Sequence, residues 1–86
     1  MLRLHLTKDA QKFLDTLPPK QFRQIVQKVF ALLSDPRPHD SKELKGYSFL
    51  RADIGEYRIV YDLPEEDTLR VVLIGKRNDD DVYRKL

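Results

Sequence analysis

The sequence contains no cysteine, only two histidines and no long hydrophobic run. Without cysteine there can be no disulfides or thiolate metal sites, so stability must come from a hydrophobic core, as suits a reducing compartment. His5 and His39 lie far apart, which argues against acid–base catalysis by a histidine pair. No apolar run approaches the roughly 18 residues of a membrane span, and Lys8 and Asp9 interrupt the N-terminus before any signal-peptide core. We therefore expect a cytoplasmic protein that is neither exported nor anchored in a membrane.

The composition is that of a small folded protein. The chain has 86 residues, of which 41% are hydrophobic and 35% charged, as in folded soluble domains rather than disordered chains. This length allows one hydrophobic core, so we predict a single domain over residues 1–86. A net charge of +2 and a pI near 9.0 permit a nucleic-acid partner without requiring one.

The first third of the chain predicts a strand followed by two helices. Residues 2–6 alternate leucine with polar residues, which is typical of a half-buried strand with His5 facing outward. Thr7 is a suitable N-cap for a helix that ends before the prolines at 18 and 19, and a second amphipathic helix then runs to Leu33. Because their connection is so short, the two helices should lie antiparallel and share one buried face.

The remaining sequence predicts a sheet. Residues 34–46 combine prolines, a glycine and polar groups and predict a loop. The runs YSFLRA, EYRIVYDL and TLRVVLIG follow with short connections, which predicts an antiparallel meander. The predicted fold is therefore α+β, with an antiparallel helix hairpin packed on a mainly antiparallel sheet in the order β-α-α-β-β-β. A short helix is predicted after Asn78.

The first hairpin of this meander determines which charges meet. If Ile54 and Gly55 form a two-residue turn, Arg51 lies directly opposite Arg58. Such a pair repels unless an anion lies between the two side chains, which favours a binding role. A longer turn would change this register, because isoleucine is unusual at the first turn position. The other face of the hairpin is expected to pack on the helices through Leu50, Ala52, Tyr57, Ile59 and Tyr61.

The stretch GKRNDDDVYRKL at residues 75–86 brings basic residues, three aspartates and a tyrosine close together. The aspartates at 79–81 could bind a divalent metal, but capping of a short helix suits them better, because basic residues follow at its other end. The arginines could also form ordinary surface ion pairs with Asp53, Glu56 or residues 79–81.

The segments LKGYSFLRADIGEYRIVYDL and VVLIGKRNDDDVYRKL resemble the RelE family of toxins from bacterial and archaeal toxin–antitoxin pairs, and the resemblance extends over essentially the whole chain. It implies the RelE microbial-ribonuclease-like fold and an endoribonuclease, needing neither metal nor cofactor, that cuts mRNA in the ribosomal A site. The implied partners are a RelB-like antitoxin, the ribosome with its 16S rRNA, and operator DNA contacted only through the toxin–antitoxin complex.

The resemblance also implies site residues by motif position. Arg58 and Arg77 match the family's active-site arginines, Tyr83 matches its catalytic tyrosine, and Arg51 matches one of its two strand lysines. Phe49 stands where the best-known members carry the other lysine. Either Lys42, Lys45 or Lys76 supplies the missing positive charge, or the activity is weaker or differently tuned. The candidate substrate-binding residues are Lys42, Lys45 and Lys76.

Cleavage of RNA through its own 2′-hydroxyl needs a proton acceptor, positive charge around the phosphorane and stabilisation of the leaving oxygen. Arg51 and Arg58 suit a phosphate clamp, Arg77 suits charge stabilisation, and Tyr83 suits the 2′-hydroxyl or stacking on a base. Two other function classes stay open. One is a ParE-like inhibitor of DNA gyrase, which would not need Tyr83, and the other is a non-catalytic nucleic-acid-binding module.

Overall fold

The computed structural model describes residues 1–44 and 48–77. Its elements are β1 (Arg3–Leu6), α1 (Lys8–Asp15), α2 (Pro19–Ser34), β2 (Lys42–Glu43), β3 (Leu50–Ile54), β4 (Tyr57–Glu65) and β5 (Thr68–Lys76). The strands form one sheet in the order β1-β5-β4-β3-β2, parallel between β1 and β5 and antiparallel elsewhere. The α+β prediction is confirmed, except that the short β2 lies in a segment predicted as loop. The helix predicted after Asn78 lies outside the described residues.

The N-terminal elements follow the sequence pattern. His5 is exposed on β1, as predicted, but Leu4 is also 40% exposed because β1 is an edge strand. Thr7 caps α1 by accepting a hydrogen bond from the backbone N–H of Ala10, and Pro19 occupies the first turn of α2. Within the described ranges, neither helix has the length and apolar content needed to cross a membrane.

The main core lies between the two helices and one face of the sheet. Tyr57 and Tyr61 are both buried there, as predicted for this face of the hairpin. The ring of Phe13 meets that of Tyr57 edge to face at 5.9 Å, and the hydroxyl of Tyr61 donates to the carbonyl of Pro36 at 2.6 Å. The core side chains of the hairpin are Leu50, Ala52, Tyr57, Ile59 and Tyr61.

The register predicted for the first hairpin was wrong. Arg51 pairs with Val60, and Arg58 pairs with Asp53. The reason is the turn, which begins at Gly55 rather than Ile54. Gly55 has a φ of +57°, which favours glycine, and a β-carbon added there would come within 2.8 Å of the Gln24 side chain. The pairing moves by one residue on each strand, so every side chain keeps its predicted face but meets a different partner.

An irregularity in β5 sets which side chains reach the second face of the sheet. Val60 pairs with Leu73 and Tyr61 with Val71, so Val72 is an extra residue on β5. Thr7 is bonded to this bulge, because its hydroxyl donates to the carbonyl of Val72 at 2.5 Å. Beyond the bulge, Ile74 returns to the helix side and Leu73 lies on the opposite face, here called the open face. The N-cap of α1 therefore stabilises the bend that directs the end of β5.

We expect Thr7→Ala to lower the free energy of unfolding by about 1–2 kcal/mol, because it removes both the helix cap and the bond to the bulge. Urea unfolding followed by circular dichroism measures this. The matched control is Thr16→Ala, which removes an exposed hydroxyl bond to the carbonyl of Phe13 and should cost less than about 0.5 kcal/mol. Equal losses in the two variants would contradict the role assigned to Thr7.

Candidate functional site

Three arginines that are distant in sequence meet at the hairpin end of the open face. Arg51 lies on β3, Arg58 lies on β4, and Arg77 follows directly after β5. The backbone N–H of Arg77 donates to the carbonyl of Glu56 at 3.0 Å, which continues the strand ladder and fixes the position of Arg77 beside the turn. We call Arg51, Arg58 and Arg77 the arginine cluster. All three make ion pairs with the carboxylate of Asp53.

The contacts to Asp53 are of two kinds. Arg58 binds it in a bidentate manner, with Nε 2.7 Å from Oδ1 and Nη2 3.1 Å from Oδ2. The Nη1 atoms of Arg51 and Arg77 lie 3.9 and 3.8 Å from Oδ2, beyond hydrogen-bond distance but within the range of an ion pair. Asp53 therefore fixes one arginine firmly and attracts the other two by charge.

Exposure increases across the cluster from β4 outward. The side chain of Arg58 is 13% exposed and that of Arg51 is 23% exposed, whereas that of Arg77 is 51% exposed. The hydrogen bonds from Arg58 lower the pKa of Asp53, the charges of the arginines lower it further, and burial opposes them. Asp53 is therefore ionised at neutral pH, and the four side chains together carry two positive charges, three from arginine less one from aspartate.

The predicted lysines are placed differently. Lys42 pairs with Arg51 across β2 and β3, so it lies on the open face beside the cluster. Lys76 pairs with Tyr57, whose side chain belongs to the helix-side core, so Lys76 points away from the cluster. Lys45 and Tyr83 lie outside the described residues. Their roles, and that of Lys76 in substrate binding, stay predictions.

An apolar patch borders the arginine cluster on the open face. Leu44, Val60 and Leu73 are buried together, and Phe49 and Val72 pack against them while partly exposed. Val60 lies directly opposite Arg51. Apolar neighbours exclude water and so strengthen the electrostatic interactions of adjacent charges. Phe49, at the position where a lysine was expected from the resemblance, thus adds apolar surface rather than charge.

From the sequence, Asp53 was predicted only as a partner in surface ion pairs and not as the centre of the cluster. The available signal was Gly55, because a turn that begins at glycine places Asp53 opposite Arg58. Among residues 1–44 and 48–77, no three His, Cys, Asp or Glu side chains are grouped so that they could hold a metal ion. The aspartates at 79–81, considered as an alternative metal site, lie outside those ranges.

Known proteins are similar to this chain in sequence and in fold. Residues 4–81 match the family described as ParE toxin of type II toxin-antitoxin system, parDE. The isolated RelE toxin of E. coli is 25% identical with a TM-score of 0.78, over 99% of this chain and 94% of that one. A chain of the Pyrococcus horikoshii RelE–RelB complex is 25% identical to this chain with a TM-score of 0.76, over 88% of this chain and 94% of that one. A chain of the RelBE2 toxin–antitoxin complex from Mycobacterium tuberculosis is also 25% identical, with a TM-score of 0.77 over 88% of this chain and 98% of that one. The comparison with curated proteins gave no match.

Fold and comparisons together define a toxin of the type II toxin–antitoxin class. Within this class the chain belongs to the ParE toxin family, and its structure has the fold of the RelE toxins. The predicted membership in the RelE/ParE superfamily is thereby confirmed.

The ion pairs of Asp53 should make stability depend on pH. Because the folded-state pKa of Asp53 lies below its ordinary value of 3.8, its contribution is present above about pH 4 and is lost as the pH falls through the folded pKa. We expect Asp53→Asn to be less stable than the native protein by roughly 1 kcal/mol at pH 7, with the difference shrinking as the pH falls below about 4. Urea unfolding across this pH range measures both values. A difference that stays constant with pH would contradict the assignment.

Proposed function

We propose that this toxin is a ribosome-dependent endoribonuclease that cleaves mRNA in the ribosomal A site and so inhibits translation. The observation that carries the proposal is the arginine cluster, which gathers three guanidinium groups on one face of a RelE-type sheet. Guanidinium groups bind phosphate with paired donors and stay charged at every physiological pH. The cluster is therefore suited to the developing charge of a phosphoryl-transfer transition state.

In the proposed reaction the RNA supplies its own nucleophile. The 2′-hydroxyl attacks the adjacent phosphorus, the O2′–P bond forms, and the P–O5′ bond breaks to leave a cyclic phosphate and a 5′-hydroxyl. One proton leaves the 2′-oxygen and one is gained by the 5′-oxygen. Arg77 is the most exposed member of the cluster and would stabilise charge on the phosphorane and the leaving oxygen. Arginine is a poor proton donor at pH 7, so its role is electrostatic.

The other predicted residues complete this proposal. Tyr83 would orient or deprotonate the 2′-hydroxyl, or stack on a base, and Arg51 would bind the phosphate beside Arg77. Lys42 lies on the same face and would attract the RNA backbone, as would Lys45. Arg58 would act mainly by shaping the site, since its Nε and one Nη already bind Asp53.

The partners follow from the same proposal. We expect the toxin to act in the cytoplasm, on mRNA held by the ribosome and its 16S rRNA, and to be neutralised by a RelB-like antitoxin. Structures of similar toxins contain RelE with RelB, which supports an antitoxin of that kind here. Operator DNA would be bound only by the toxin–antitoxin complex.

Gyrase inhibition is the second candidate function. Two observations favour it: the matched family is that of ParE toxins, and Phe49 replaces an expected lysine with apolar surface. The partly exposed side chains of Phe49 and Val72 beside a basic cluster suit a protein target as well as RNA. The arginine cluster itself supports the nuclease, because a gyrase inhibitor has no need to bind a scissile phosphate.

Toeprinting on a translating ribosome–mRNA complex tests the proposal. We expect the purified protein to cut mRNA in the A site, and Arg77→Ala and Tyr83→Phe each to reduce the rate by about 100-fold or more. The matched control is Arg70→Ala, which removes an arginine that binds Asp62 on the same sheet at a distance from the cluster. This control should keep cleavage close to the native rate.

Intact mRNA with the native protein would contradict the nuclease proposal. A supercoiling assay with DNA gyrase on the same preparation then decides the second candidate. Loss of supercoiling activity would support gyrase inhibition. Unchanged supercoiling activity would leave a non-catalytic binding module.

A further inference from the structure

We propose that Asp53 is a resident counter-anion of the phosphate site, which holds Arg58 in place while Arg51 and Arg77 exchange its carboxylate for a phosphate of the bound RNA. This inference rests on the proposed function, since it assumes that the natural ligand is an RNA phosphodiester. It assigns to Asp53 a role in tuning affinity and to Arg58 a positioning role, and it divides the arginine cluster into a fixed part and an exchangeable part.

The distances support this division. Arg58 makes two hydrogen bonds to Asp53, whereas Arg51 and Arg77 lie 3.9 and 3.8 Å from it, too far for a hydrogen bond. Turning Arg51 or Arg77 towards another anion therefore breaks no hydrogen bond to Asp53. Arg77 is also half-exposed, so an incoming phosphate can reach it without opening the core. Releasing Arg58 would instead break two charge-assisted bonds at a largely buried position.

The charges support the exchange as well. Three guanidinium groups at the end of one sheet repel one another, and the Asp53 carboxylate offsets part of that repulsion in the free protein. The pKa of Asp53 is lowered by these same neighbours, so the carboxylate is charged at neutral pH and competes with any anion that enters. A phosphodiester carries the same single negative charge on two non-bridging oxygens, so it can replace the carboxylate as a partner for the paired donors of a guanidinium group. The Asp53 carboxylate thus stabilises the site in the absence of RNA and lowers the affinity of the site for RNA.

The sheet provides a matched control for this residue. Asp62 binds Arg70 across β4 and β5 with Nε 2.9 Å from Oδ1 and Nη2 2.5 Å from Oδ2, the same geometry as Asp53 with Arg58. It lies four residues along β4 from Arg58, about 13 Å at the rise of an extended strand. Asp53→Asn and Asp62→Asn therefore remove the same charge from the same kind of pair, and only the first lies at the proposed site.

The experiment measures binding of an uncleavable RNA, a short 2′-O-methyl oligonucleotide, by fluorescence anisotropy at several salt concentrations. We expect Asp53→Asn to bind roughly three- to tenfold more tightly than the native protein and with a steeper salt dependence, because one competing charge is gone. Asp62→Asn should change affinity by less than about twofold, and Asp53→Glu, which keeps the charge, should stay near the native value. Unchanged or weaker binding by folded Asp53→Asn, or equal tightening by both asparagine variants, would overturn the inference.

A second measurement needs no variant and decides the matter even if Asp53→Asn fails to fold. The guanidinium Nε resonances of the native protein are followed by NMR while the same oligonucleotide is added. We expect the Arg51 and Arg77 resonances to shift and that of Arg58 to stay close to its starting position. Equal shifts of all three would overturn the division of the cluster. Neither assay requires cleavage, so a native protein that binds RNA as described but leaves ribosomal mRNA intact would refute only the nuclease.

Discussion

The bidentate ion pair between Asp53 and Arg58 is the interaction on which the open face of the sheet depends. It joins β3 to β4 beside the Gly55 turn, and it gives the neighbouring arginines a carboxylate to face instead of one another. Without this anion, three positive charges would meet at one end of a small sheet and repel one another more strongly. The pair therefore lets the fold carry a concentrated positive site in the absence of a ligand.

The rest of the architecture positions this site from a distance. Thr7 caps α1 and bonds to the bulge at Val72, and the bulge changes which side of β5 faces outward. That change lets Ile74 pack under the helices while Arg77 reaches the open face. The helix-side core supplies the stability, and the open face carries the charged and partly apolar surface that a partner would meet.

Much of the fold could be predicted from sequence, because hydrophobic periodicity, helix caps and helix-ending prolines are local signals. The Thr7 cap, the two prolines and the alternation of the β3–β4 hairpin gave the helices and the buried face correctly. The pairing within the hairpin could not be predicted as readily. Moving a turn by one residue leaves every side chain on its face, so hydrophobic alternation does not distinguish the two registers. The two-residue β2 was missed because it has too few residues to show any period.

Only part of the candidate site could be predicted, because the sequence pattern does not determine the register of the β3–β4 hairpin. Arg51, Arg58 and Arg77 were selected by their place in the motifs, and the structure brings them together, but their central partner depends on the register. Lys76 was selected because it is next to Arg77 in sequence. Consecutive strand residues face opposite sides of a sheet, so only Arg77 joins the cluster.

Cryo-electron microscopy of the toxin on a ribosome, with 2′-O-methyl mRNA in the A site, tests the central claim most directly. The account predicts density for the toxin in the A site, with an mRNA phosphate between Arg51 and Arg77 and with Arg58 still bound to Asp53. A toxin absent from the A site, or bound there with the arginine cluster facing away from the mRNA, would contradict it.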